Sequence, residues 1–139
     1  MADKNKKIKK LKDKIKKAKE DLEIKKKELS RLLQEETELL QSGLDTDEKK
    51  EKYKKIIETI KLLLERIKSG VEKMEELLEK LEKAERGFFG WILFFISWPF
   101  KKIWELIKGI FKALEEFDAE KVEKLLEALL GKVAKKLEE

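Results

Sequence analysis

The chain has 139 residues, 47% of them charged and 41% hydrophobic, with a net charge of +5. It holds no cysteine and no histidine, which excludes a disulfide framework, a thiolate metal site, and the commonest general base and metal ligand. One proline and six glycines leave too little turn chemistry for a many-stranded sheet, and the excess of Lys, Glu, Leu and Ile is that of long amphipathic helices. The expected fold class is therefore all-α, as one domain or one domain with an appendage. No apolar run follows the lysine-rich start, so no targeting signal is expected.

The charge is unevenly placed. Residues 1–19 carry ten lysines against Asp3 and Asp13, residues 20–43 sum to −3, and the remainder is neutral. The basic character belongs to one end of the first helix.

From about Asp3 to Gln41, Ile8, Ile15, Leu22 and Leu29 recur every seven residues, and Leu11, Ala18, Leu32 and Leu39 fill the alternate seam, interrupted by Lys25 and Glu36. That pattern predicts a long helix packed along its length against a partner. Ser42 to Asp47 reads as a turn, with Gly43 as helix stop and Asp45 or Thr46 as the next N-cap. Tyr53, Ile60, Ile67, Met74, Leu81 and Phe88 then keep a seven-residue spacing, with Ile57, Leu64, Val71 and Leu78 as a parallel row. Ser69-Gly70 falls inside this run without breaking its phase, which favours one continuous helix. Helices over 3–42 and 46–86 would pair as an antiparallel hairpin, placing the lysine-rich start beside six glutamates between Val71 and Arg86. Were Ser69-Gly70 a turn instead, residues 1–86 would form a three-helix bundle.

Beyond Arg86 the composition changes. Ten of the eleven aromatic residues lie between Phe88 and Phe117, and residues 87–100 carry no charge. The segment holds Phe88, Phe89, Trp91, Ile92, Leu93, Phe94, Phe95, Ile96, Trp98 and Phe100. The first nine of these side chains, Phe88 to Trp98, left in water at roughly 1.5–3 kcal/mol each, would exceed the net stability of a small domain. Self-association, a partner or lipid must cover them. Fourteen residues rise about 21 Å as a helix, short of a ~30 Å hydrocarbon core, so a simple span is not expected. Pro99 removes a backbone donor and is expected to kink or end the helix, with Ser97 able to rebond the strained carbonyls. Lys101 and Lys102 then return the chain to the headgroups, and Arg86 marks where it enters.

Past Pro99, Phe100, Ile103, Trp104, Ile107, Ile110, Phe111 and Leu114 form an apolar stripe with Lys101, Lys102, Glu105, Lys108 and Lys112 off it. This is the pattern of a helix lying in a membrane interface, and equally of a core helix. Asp118 is the expected N-cap of a last helix whose apolar face carries Val122, Leu125, Leu126, Leu129, Leu130, Val133 and Leu137. Three regions result: a charged helical hairpin or bundle over 1–86, an aromatic helix-break-helix over 87–117, and an amphipathic helix over 118–139.

Two resemblances bear on this reading. Residues 1–86, with Lys/Glu faces, Leu/Ile seams and short turns, resemble a de novo designed helical bundle. Arg86 to Pro99 resembles the re-entrant membrane helix of the monotopic phosphoglycosyl transferases, in which a helix enters one leaflet, breaks at a Ser-Pro pair and returns; here Trp98 separates Ser97 from Pro99. That resemblance implies an anchor without the family's activity, because no counterpart of its catalytic Asp-Glu pair is found.

The sequence thus predicts a non-catalytic protein without cofactor or metal, held in one leaflet with both termini on the same side. Its partner would be a lipid bilayer or detergent, with anionic lipid attracted by the lysines. Nucleic acid is not expected, since those lysines are not interleaved with aromatics or arginines. The alternatives are a soluble oligomer with 87–117 as its interface, and a membrane-disrupting amphipathic protein.

Overall fold

Heptad-spaced apolar residues wind into two long helices, α1 (Ala2–Ser42) and α2 (Asp47–Arg86). Two shorter helices follow, α3 (Trp98–Glu115) and α4 (Ala119–Glu138). The structure is a computed structural model and describes residues 2–86 and 98–138. Among the described residues every element is a helix, as an all-α fold requires.

The turn between α1 and α2 follows from its residues. Gly43 adopts φ 85°, the left-handed conformation that closes a helix, and its amide donates to Leu40 O at 3.2 Å. Thr46 is the N-cap: its Oγ1 accepts from the Lys49 amide at 3.2 Å and its carbonyl from the Lys50 amide at 3.1 Å. Asp45 instead pairs with Lys49 at 3.2 Å, and that hydrogen bond holds its carboxyl below the ordinary carboxylate pKa.

The two expected seams of α1 bury Leu11, Ile15, Leu22, Leu29 and Leu32. Lys25 leaves the seam by turning back to Asp21, 3.1 Å away on its own helix. On α2, Ile60, Ile67, Met74 and Leu81 are buried, and so are Leu64, Val71 and Leu78 of the parallel row. A third row, Ile56, Leu63, Gly70 and Leu77, is also packed. One helix needs three rows when it has two neighbours and a core to fill.

Helix α2 runs unbroken through Ser69-Gly70, as the unbroken phase predicts. Gly70 has a packing reason: a Cβ there would lie 2.7 Å from Leu22 Cδ2 of α1, and Leu22 is itself buried. Gly131, in α4, would meet nothing within 4 Å. The two glycines should therefore respond oppositely to alanine. Gly131→Ala is expected to stabilise the protein by about 0.5–1 kcal/mol, the helix-propensity difference. Gly70→Ala is expected to yield no gain, because overpacking costs about 1–3 kcal/mol. Denaturant midpoints of the two variants check this, and equal stabilisation would contradict the close approach of α1.

Between α3 and α4 the chain makes a tight reversal. The Asp118 amide donates to Ala113 O at 3.0 Å and the Phe117 amide to Leu114 O at 3.2 Å, the two bonds of a Schellman cap. Phe117 takes the left-handed position at φ 54°, where glycine is usual, and its side chain is 67% exposed. Asp118 caps α4 as expected, its Oδ1 accepting from the Lys121 amide at 3.2 Å. Relieving the Cβ strain by Phe117→Gly is expected to raise stability by about 1 kcal/mol, read as a shift in thermal midpoint.

Successive contacts fix the topology. Leu22 meets Gly70; Ser30 and Lys26 of α1 face Glu123 and Glu127 of α4 in reversed order, at 2.7 and 3.9 Å. Helix α3 packs on α2 and α4, and α4 on α1. The result is an up-down-up-down four-helix bundle, with the α1–α2 hairpin projecting past the Phe117 reversal on the side of the Ser42–Asp47 turn. By this topology the starts of α1 and α3 and the ends of α2 and α4 share one end. Residues 87–97 connect α2 to α3 there.

Candidate functional site

The shared end is built by residues from three helices. On α3, Phe100 stacks on Trp104, with ring centroids 6.4 Å apart. The Trp104 indole Nε1 donates to Glu82 Oε2 of α2 at 3.2 Å. From α4, Lys136 brings its ammonium to 2.9 Å from Glu85 Oε2 and 4.8 Å from the Phe100 ring centre. Lys136 is a buried charge that combines an ion pair with a cation–π contact, which compensates for its removal from water. Neither Glu82, Glu85 nor Lys136 stands out in a sequence reading based on apolar spacing. Their pairing depends on the α3–α4 hairpin folding back on α2.

The apolar stripe of α3 faces the bundle. Phe100, Ile103, Ile107, Ile110 and Leu114 are buried, and Phe111 and Trp104 are half-buried. In this arrangement Ile103, Ile107 and Ile110 fill the core between α2 and α4. The physical reason is that α2 and α4 each carry an apolar row of matching length, so α3 has protein partners on both sides. Lys101, Lys102 and Lys108 are exposed on the opposite side of the helix.

Pro99 lies in the first turn of α3, where a missing amide hydrogen leaves no helical bond unmade. Arg86 is the last residue of α2. Phe88, Phe89, Trp91, Ile92, Leu93, Phe94, Phe95, Ile96 and Ser97 lie outside the described residues.

The charges do not pair as the sequence suggests. Glu76 pairs with Lys80 at 3.3 Å and Glu79 with Lys83 at 3.5 Å, both within α2, while Glu82 and Glu85 serve Trp104 and Lys136. These short-range partners are one helical turn away or held by packing, so they win over the lysines across the hairpin. Among the described residues, none of Lys6, Lys7, Lys9, Lys10, Lys14, Lys16 and Lys17 forms an ion pair, and all seven are exposed.

No group of three or more metal-ligating side chains converges, and no helix is long and apolar enough to cross a membrane, among the described residues. Comparison with protein-family models, curated proteins and solved structures returned no match.

Proposed function

We propose that this is a non-catalytic, monotopic membrane-anchored protein, of the de novo designed kind that residues 1–86 resemble, whose segment 87–99 enters one leaflet and returns. One observation carries the reading. Helices α2 and α3 are antiparallel neighbours, so Arg86 and Trp98, which flank residues 87–97, lie at the same end of the bundle. A spanning segment would need its two ends about 30 Å apart on opposite sides of the hydrocarbon. Twelve backbone steps out and back reach a depth of about 9 Å if helical and about 20 Å if fully extended. That range is one leaflet.

The buried stripes of α3 and α4 narrow the anchor. The amphipathic helix α3 serves the bundle, which leaves the uncharged run before it as the lipid-contacting element. Lys101 and Lys102, exposed just after it, sit where headgroups would lie.

The test is flotation with liposomes followed by labelling of single cysteines from outside. Leu93→Cys should label without lipid and be protected on the vesicle, while Lys108→Cys and Leu44→Cys label in both conditions. Protein that never floats and sediments as an oligomer would replace this reading with a soluble interface. Leakage of entrapped dye on binding would favour membrane disruption.

A further inference from the structure

We infer that the shared end of the bundle is a cationic collar for anionic lipid headgroups, which stands the bundle end-on above the membrane with the Ser42–Asp47 turn pointing away. The inference rests on the anchoring proposed above and adds the lipid class and the orientation.

The first three turns of α1 are densely basic. Among the described residues Lys6, Lys7, Lys9 and Lys10 are exposed and form no ion pair, with Asp3 and Asp13 the acidic residues of that stretch of α1. Of the glutamates that the hairpin brings alongside, Glu76, Glu79, Glu82 and Glu85 are engaged by Lys80, Lys83, Trp104 and Lys136. Lys102 of α3 and Lys135 of α4 are exposed near the same end, so three helices contribute lysines around the place where residues 87–97 attach. Apolar insertion with a basic rim is the complement of a bilayer that has an apolar core and anionic headgroups. A nucleic acid is the poorer fit, because the lysines lack interleaved arginine or aromatic side chains.

Orientation gives the proposal a signature. Each lysine close to an anionic surface favours binding by roughly fivefold, and the effect fades within about 10 Å at 0.1 M salt. Lys6 to Lys10 lie in the turns nearest the end. Lys14, Lys16 and Lys17 are one to three turns further away, about 6–16 Å along the axis. An upright bundle therefore weights the two sets differently, whereas a bundle lying on its side would weight them alike.

The experiment measures partition of the full chain onto phosphatidylcholine vesicles with and without 30% phosphatidylserine at 0.1 M salt. The unmodified protein should bind the anionic vesicles at least a hundredfold more tightly. Replacing Lys6, Lys7, Lys9 and Lys10 with Gln should lower that partition about a hundredfold and leave phosphatidylcholine binding within twofold. Replacing Lys14, Lys16 and Lys17 with Gln should cost under tenfold. Equal affinity for the two vesicles overturns the collar while leaving the anchor standing, and equal loss from the two lysine sets overturns the upright orientation. Duplex DNA that competes fully with anionic vesicles would make the surface a nucleic-acid site and overturn the lipid assignment. Failure to bind either vesicle removes both the anchor and the collar.

Discussion

Replacing Ile107 with alanine is expected to lower the stability of the lipid-free protein by about 2–5 kcal/mol, the range for deleting a fully buried branched side chain and leaving a cavity. Ile107 is 1% exposed on the face of α3 that meets the bundle, with Ile103 and Ile110 above and below it, both at 0%. A change of this size would be a large fraction of the stability of a domain this small. Urea denaturation without lipid or detergent measures it directly. The outcome also separates the two roles open to an amphipathic stripe. If α3 lay on a bilayer by that face, Ile107→Ala would weaken vesicle binding and leave the denaturation midpoint unchanged. In the bundle the reverse holds: the midpoint falls, and the vesicle affinity of the folded fraction is retained. Lys108→Ala, one residue away and exposed, is the control expected to move neither by more than about 0.5 kcal/mol.

The ambiguity of that stripe marks the boundary of what the sequence holds. Spacing reveals that Ile103, Ile107 and Ile110 share a face; it does not reveal what the face meets. The same is true of Val122, Leu126, Leu129 and Val133 on α4, each fully buried. Two unpartnered stripes joined by a three-residue reversal are each other's nearest cover. That inference was open to the sequence, but the aromatic content of the region argued for lipid instead.

Local rules were the most legible part. The cap at Thr46, the left-handed Gly43, the cap at Asp118 and the continuity of α2 through Ser69-Gly70 all follow from short-range chemistry that one window of sequence contains. The third row of α2 was not legible, because Gly70 breaks it as a hydrophobic pattern. Its meaning appears only when Leu22 occupies the space a Cβ would need. Charge pairing misled for a related reason. Glutamates opposite lysines suggest pairs across the hairpin, yet i,i+4 partners on α2 and the packed Trp104 and Lys136 are closer. The consequence reaches function, since the lysines left over include Lys6, Lys7, Lys9 and Lys10 at the end where residues 87–97 attach.

For the anchor itself, the largest expected effect comes from placing charge in its centre. Phe94→Asp with Phe95→Asp should reduce vesicle partition at least a thousandfold, abolishing flotation. Each aspartate at the middle of a membrane-inserted segment costs roughly 2.5–3.5 kcal/mol, or about a hundredfold, before the lost contribution of the phenylalanine is counted. The lipid-free thermal midpoint should stay within a few degrees, because among the described residues α1 to α4 already assemble a continuous buried core. Two other outcomes are informative. A variant that loses oligomeric mass in sedimentation while the parent does not float would assign Phe94 and Phe95 to a protein interface. A variant that floats as before would place the lipid contact elsewhere on the molecule, and the exposed Phe117 at the opposite end of α3 would then be the residue to charge next.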